Sequence, residues 1–391
     1  MILAAGTLAQ SSFSALSVGL PALAPALRSH YRLSLGDTGV VLGAVGIGML
    51  FALLPWGLLA DRVGERVVMA TGLFGAGIAV AAAGKTHSFW PLVGVLVVSG
   101  ALGSSVNAAS GRAVMGWFGA HERGLALGIR QTAIPIGGAA AAAGLPWLAD
   151  SGGTRLAFLV LGCSCATGAL VAAAFMREAP SRTQELGDVA GPLRDLHMWL
   201  LAGGSALYLT SQIAITGFVV LFLHGHRHVS TGAAAAVLAG INVLGIGARI
   251  GAGRWSDRAG SMLDPLRLIG IVLAVATVVV AAVVDAPFGV LVPALALAGV
   301  LGLAWNGLSF AAAAEASGLA RSGAALGFQQ TILGVVVAAA PPLFAIVAAS
   351  SWRLAYALAA AGPLFGTALL LRLSPTAVRS RGTSASPPAA P

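Results

Sequence analysis

The stretch Gly57-Leu58-Leu59-Ala60-Asp61-Arg62-Val63-Gly64-Glu65-Arg66 has a counterpart in the second half of the chain, Gly253-Arg254-Trp255-Ser256-Asp257-Arg258-Ala259-Gly260. The two copies lie 196 positions apart in a chain of 391 residues, and each sits between long apolar segments. A charged, glycine-flanked turn repeated at half length points to a duplicated membrane bundle with a short charged hinge in each half. Three further pairings fall at nearly the same spacing. Asn107-Ala108-Ala109 answers Asn306-Gly307-Leu308, and Gly128-Ile129-Arg130-Gln131-Thr132 answers Gly327-Phe328-Gln329-Gln330-Thr331. Arg155-Leu156-Ala157-Phe158 answers Arg353-Leu354-Ala355-Tyr356. Parallel duplication of a six-helix unit is one of the known ways to build a carrier.

Composition names the solvent. The chain is 58% hydrophobic and 9% charged, with a mean hydropathy of +0.91, where a soluble domain carries about a quarter charged residues. That charge does not cover a water-facing surface, so lipid surrounds most of the chain. The net charge of +9 does not indicate nucleic acid, because the arginines recur singly in short inter-helix loops. Cys163 and Cys165 stand two apart in an apolar run and point in different directions on a helix, which reads as apolar filler. The first 27 residues are apolar and uncharged, without the basic start of a signal peptide, and read as a retained membrane helix. No zinc-protease pair, phosphate loop with lysine or nucleophile elbow is present. The chain therefore reads as no enzyme, with no cofactor and no metal site.

Apolar runs near 20 residues predict twelve membrane helices, over 2–27, 38–60, 66–84, 91–117, 124–149, 155–176, 198–223, 231–253, 266–284, 288–313, 322–349 and 354–372. The fold class is all-α and integral to the membrane, as two six-helix repeats. The expected domains are a first bundle over 1–179, a linker over 180–196, a second bundle over 197–373 and a disordered tail over 374–391. Of 22 basic residues, 14 fall on the side that carries both Asp-Arg loops and 6 on the other. The positive-inside bias places both termini in the cytoplasm.

Arg130 is the sharpest candidate for contact with a transported molecule, because an arginine inside a membrane helix usually faces a cavity or a partner. Its second-half counterpart is the neutral Gln329, so a cavity between the halves would prefer an anion. Snorkelling to the interface, or pairing with Asp61 or Glu122, remains the alternative. Gln131, Asn107, Asn306, Gln329 and Gln330 are amides in apolar helices and join it as candidate lining residues. Interhelical hydrogen bonding is the other reading of each. Arg249 is expected to reach Asp257, and Glu315 to pair with Arg254, Arg258 or Arg321. No carboxylate is predicted in mid-membrane, which fits an anion entering with its own proton.

The repeated loops, twelve helices and central linker resemble the major facilitator superfamily over nearly the whole chain. Gly57, Asp61, Arg62, Gly64 and Arg66 match the family's loop signature, and Gly253, Asp257, Arg258 and Gly260 match its weaker second copy. Glu65 departs from the usual basic residue. The resemblance implies alternating access by rocking of the two halves. It implies a cytoplasmic latch in which Asp61 pairs with an arginine such as Arg112, with Asp257 and Arg258 doing the same in the second half. Ile134-Pro135-Ile136-Gly137-Gly138 lacks the glycine of the family's drug-antiporter signature. The reading is a bacterial inner-membrane carrier, multi-pass and monomeric, for proton-coupled uptake of a small organic or inorganic anion. Proton-driven efflux of an amphipathic compound, and a non-transporting sensor or scaffold, are the alternatives.

Overall fold

The structure is a computed structural model that describes residues 1–117, 123–177, 194–317 and 322–373. Glu122, Arg321, most of the expected linker and the 374–391 tail lie outside the described residues, as do the side chains of Asp61 and Arg112.

The described chain is built from α-helices. In lipid each backbone N–H and C=O must be paired within its own segment, and a helix does this for an apolar run. In order they are α1 (Ile2–Ser17), α2 (Leu20–Tyr31), α3 (Leu35–Val63), α4 (Glu65–Ala83), α5 (Phe89–Gly103), α6 (Ser105–Trp117), α7 (Arg123–Gln131) and α8 (Ala133–Phe175). The second half gives α9 (Leu196–Thr216), α10 (Thr231–Ala259), α11 (Leu263–Ala282), α12 (Phe288–Ala304), α13 (Asn306–Ser317), α14 (Ser322–Ser350) and α15 (Trp352–Leu371). A π-helical turn, Phe222–His226, lies between α9 and α10. Polar residues at the interfaces start several helices. Ser34 and Asp37 form a reciprocal capping box on α3, and Ser230 and Ser351 accept from Ala233 and Leu354, each satisfying an otherwise orphan N–H.

Among the described residues, eleven stretches are long and apolar enough to cross a membrane. One of them, Gly128–Phe175, has 48 residues, about 72 Å of helix at 1.5 Å per residue, against a hydrocarbon core of about 30 Å. It bends back at Gly152 and Gly153, where Gly153 takes φ 70°, and so contributes two spans. The total is the predicted twelve.

The sequence reading drew each span as continuous, and the structure differs. The first is broken near Val18–Gly19 ahead of Pro21, the fourth at Ser104, the fifth at Thr132, the seventh at Gly217–Phe218 and the tenth at Trp305. The breaks at Gly19 and Gly217, and at Ser104 and Trp305, recur at about the spacing of the sequence repeat.

Small residues let backbones touch, which is how helices associate where lipid removes the hydrophobic drive. A Cβ on Gly77 of α4 would stand 2.7 Å from the Gly162 carbonyl oxygen of α8, and one on Gly162 meets the Gly77 carbonyl at 2.7 Å. Gly204 of α9 and Gly366 of α15 meet in the same way. First-half and second-half helices also touch. Gly39, Gly43 and Gly46 of α3 lie against Pro341, Ala345, Ala338 and Val337 of α14, and Gly138 of α8 lies against Asn242 of α10. The α3–α14 contact occupies the end of α3 away from the Asp-Arg loop.

Candidate functional site

The loop motif owes its glycines to the backbone. Gly64 separates α3 from α4 with φ 89°, and Gly260 follows α10 with φ 62°. An L side chain is strained at both angles. Arg62, Arg66, Asp257 and Arg258 are exposed. Among the described residues, nothing lies within 4 Å of where a Cβ on Gly57 or Gly253 would stand. Glu65 is buried at the first turn of α4 and engaged. Glu315 is exposed and makes no ion pair with Arg254 or Arg258; Arg321, its third expected partner, lies outside the described residues.

Inside the bundle the repeat becomes two matching polar networks. In the first half Gln10 of α1 donates to Asn107 Oδ1 of α6, and Ser110 Oγ donates to Gln10 Oε1 at 3.1 Å. Arg130 of α7 completes the set. Its Nε donates to Ser110 Oγ at 2.8 Å, and its Nη2 donates to the Asn107 carbonyl at 3.1 Å and to Gln10 Oε1 at 3.3 Å. In the second half Asn306 of α13 donates to Gln212 Oε1 of α9 at 3.2 Å. Gln329 of α14 donates to Ser309 Oγ, which in turn donates to Ser205 at 2.6 Å. Arg130 and Gln329 thus hold equivalent serines, Ser110 and Ser309. Neither Gln10 nor Gln212 was among the sequence candidates, although each sits in an apolar run opposite a predicted amide. The side chains of Gln131 and Gln330 make no hydrogen bond within the described residues.

Arg130 is 6% exposed. The cavity beside it, lined by Ile2, Leu3, Gly6, Ser110, Ala113 and Met176, has a volume of about 10 Å³, room for about one water. A larger cleft of about 470 Å³ opens at the far end of the bundle, between Arg28 of α2, Arg32 just past its end, and His224 of the π-helical turn.

The structure corrects the sequence reading at Arg249, which does not reach Asp257. This side chain of α10 is 7% exposed. Its Nε donates to the Leu303 carbonyl of α12 at 2.7 Å, and its Nη1 donates to the Gln131 carbonyl of α7 at 2.5 Å. Both acceptors exist because their helices break. Gln131 lies four residues before Pro135, which has no N–H to return. Leu303 lies in the last turn of α12, just before the break at Trp305, where carbonyls lose their intrahelical partners. A cation at two helix C-termini is also favoured by their dipoles. The remaining nitrogen, Nη2, is buried and has no partner among the described residues, an arrangement that costs about 1–3 kcal/mol or more for a charged donor.

The acids lie elsewhere. Asp37, Asp61, Glu65, Asp257, Asp264 and Glu315 occupy first or last helical turns, Asp195 caps α9, Asp285 lies between α11 and α12, and Asp150 borders the α8 bend. Arg130 and Arg249 form no salt bridge among the described residues.

The Major Facilitator Superfamily profile matches residues 3–341. An uncharacterized MFS-type transporter of Mycobacterium tuberculosis is 34% identical over 386 residues, which is 97% of this chain and 86% of that protein. Shorter matches run to a probable L-galactonate transporter of Escherichia coli, 30% identical over 28% of this chain and 24% of the relative. A probable sulfoacetate transporter of Cupriavidus necator is 27% identical over 44% of this chain and 41% of the relative. Among solved structures a D-xylose-proton symporter superposes with a TM-score of 0.77 at 14% identity, covering 96% of this chain and 98% of that one. A duplicated twelve-span bundle, its paired glycine turns and a profile match over most of its length converge, and the chain belongs to the major facilitator superfamily of membrane transporters.

Proposed function

We propose that the protein carries a small organic anion, a sugar acid or a short sulfonate, across the bacterial inner membrane by alternating access. The observation that carries this reading is the charge inside the bundle. Two of the described arginines, Arg130 and Arg249, are buried there, and every described carboxylate sits at a helix end, at the α8 bend or in a loop. A buried cation held only by neutral acceptors raises the affinity of a low-dielectric cavity for anions. The names of the galactonate and sulfoacetate relatives point to the same ligand chemistry.

In this proposal residues 1–179 and 197–373 are the two rocking bodies, joined by 180–196, with both termini in the cytoplasm and the chain acting as a monomer. The far-end contact between α3 and α14 closes one side of the path. Asp61 with Arg112, and Asp257 and Arg258 in the same role in the second half, latch the loop side when the far end opens. Arg130, Asn107, Gln131, Asn306, Gln329 and Gln330 contribute to the cavity wall and its order. With no described acid in mid-span to carry a proton, the proton travels with the anion, and the direction is uptake.

The test is counterflow in proteoliposomes holding the purified full-length chain. Labelled galactonate or sulfoacetate exchanges, and an inward proton gradient accelerates net uptake. Exchange of lipophilic cations with none of either anion would instead establish the efflux alternative.

A further inference from the structure

We infer that Arg249 is the residue that receives the anion's acid group, and that its hydrogen bond to Gln131 is a strap between the two halves that the anion displaces. The inference rests on the anion reading above and adds a residue and a release mechanism to it.

Three observations converge on this side chain. First, Arg249 alone among the described interior arginines, Arg130 being the other, joins elements from both halves, α7 of the first and α10 with α12 of the second. Arg130 spends its hydrogen bonds within the first half, on Ser110, Gln10 and Asn107, beside a cavity too small for a substrate. Second, Nη2 of Arg249 is a buried charged donor with no hydrogen-bond partner among the described residues. Buried polar groups are almost always paired, so this donor is open to one further acceptor. Third, the repeat is asymmetric here. At the loop-motif spacing, the first-half counterpart of Arg249 is Leu53, so this charge belongs to one side of the bundle only.

A guanidinium presents its donors as a planar fork that fits a carboxylate or sulfonate through two parallel N–H···O bonds. One of those donors, Nη2, is already free. The other, Nη1, is held by the Gln131 carbonyl, a neutral acceptor left open by Pro135. A charged acceptor outcompetes a neutral one for the same N–H. Arrival of the acid group therefore moves Nη1 from Gln131 to the anion, while Nε keeps its Leu303 bond and holds the fork on α10. The connection between α7 and α10 parts as the anion binds. Substrate binding and separation of the halves are then one exchange of hydrogen bonds, with no covalent change and no net transfer of a proton.

The experiment uses the full chain in proteoliposomes and in detergent, with galactonate and sulfoacetate as the probes. Arg249→Gln is expected to raise KM for the exchanged anion at least 100-fold, and Arg249→Lys, which keeps the charge without the fork, about 10-fold. Hydrogen–deuterium exchange over residues 123–135 is expected to rise several-fold when the anion is added to wild type. It should be high without anion in Arg249→Gln. If wild type exchanges the anion and both variants do so with unchanged KM, the inference is wrong and the proposed function stands. If wild type exchanges neither anion, the proposed function itself fails. Should Arg249→Gln not fold, Arg249→Lys and the wild-type deuterium measurement decide, and an anion-insensitive 123–135 segment overturns the strap.

Discussion

Gly64 and Gly57 belong to one motif and answer to different physics. Gly64 adopts φ 89°, and a side chain there costs about 1–2 kcal/mol, so Gly64→Ala should lower the melting temperature in detergent by several degrees. Gly57 lies within helix α3 with open space where a Cβ would go. Gly57→Ala should melt at or above the wild-type temperature, since alanine is the better helix former. It should nevertheless slow anion exchange, if its free face is used by the opposite conformation. Paired melting and counterflow measurements check both statements, and full exchange in Gly57→Ala would remove the moving-loop role. The sequence flagged both glycines by their repetition. It did not separate them, because φ is set by where α3 stops and α4 begins. Arg130 was equally visible, as a charge in an apolar run. Its partners were not, since Gln10 and Ser110 lie 120 and 20 positions away and only the packing of α1 and α6 against α7 brings them to it.

Helix breaks supply the chemistry at the scale of elements. Pro135 withholds the N–H that would bond Gln131, and the carbonyl so freed is the one Arg249 takes. Pro135→Ala restores a donor one turn on. The helix gains about 1 kcal/mol net for the new bond, so the protein should melt a few degrees higher. Competition for the Gln131 carbonyl and loss of the bend should slow exchange several-fold. Unchanged exchange in a stabilised variant would show that the break is dispensable. Pro135 was visible in the sequence as a proline inside the fifth predicted span. That it serves an arginine more than a hundred residues away was not. The misreading of Arg249 has a plain cause, since Asp257 lies near in sequence, whereas the two carbonyls it reaches come from other helices.

The whole molecule closes at one end through glycine. Gly43 of α3 rests against the Ala338 carbonyl of α14, with 2.8 Å left for a Cβ. Gly43→Val should wedge this end apart and trap the opposite conformation, with exchange falling more than 10-fold. Maleimide labelling of Ala345→Cys, in a background with Cys163 and Cys165 replaced by alanine, should rise several-fold over the same probe without the wedge. Unchanged labelling would mean that the α3–α14 contact is not a gate. The twelve spans, their duplication and the membrane setting were decided by sequence alone, because hydrophobic length and repeated spacing are local properties that lipid enforces segment by segment. The tertiary structure decided what each buried charge does. Arg130 and Arg249 look alike as isolated charges in apolar runs, and only the helices packed around them make one a tie within the first half and the other a strap between the halves, with one buried nitrogen left without a partner.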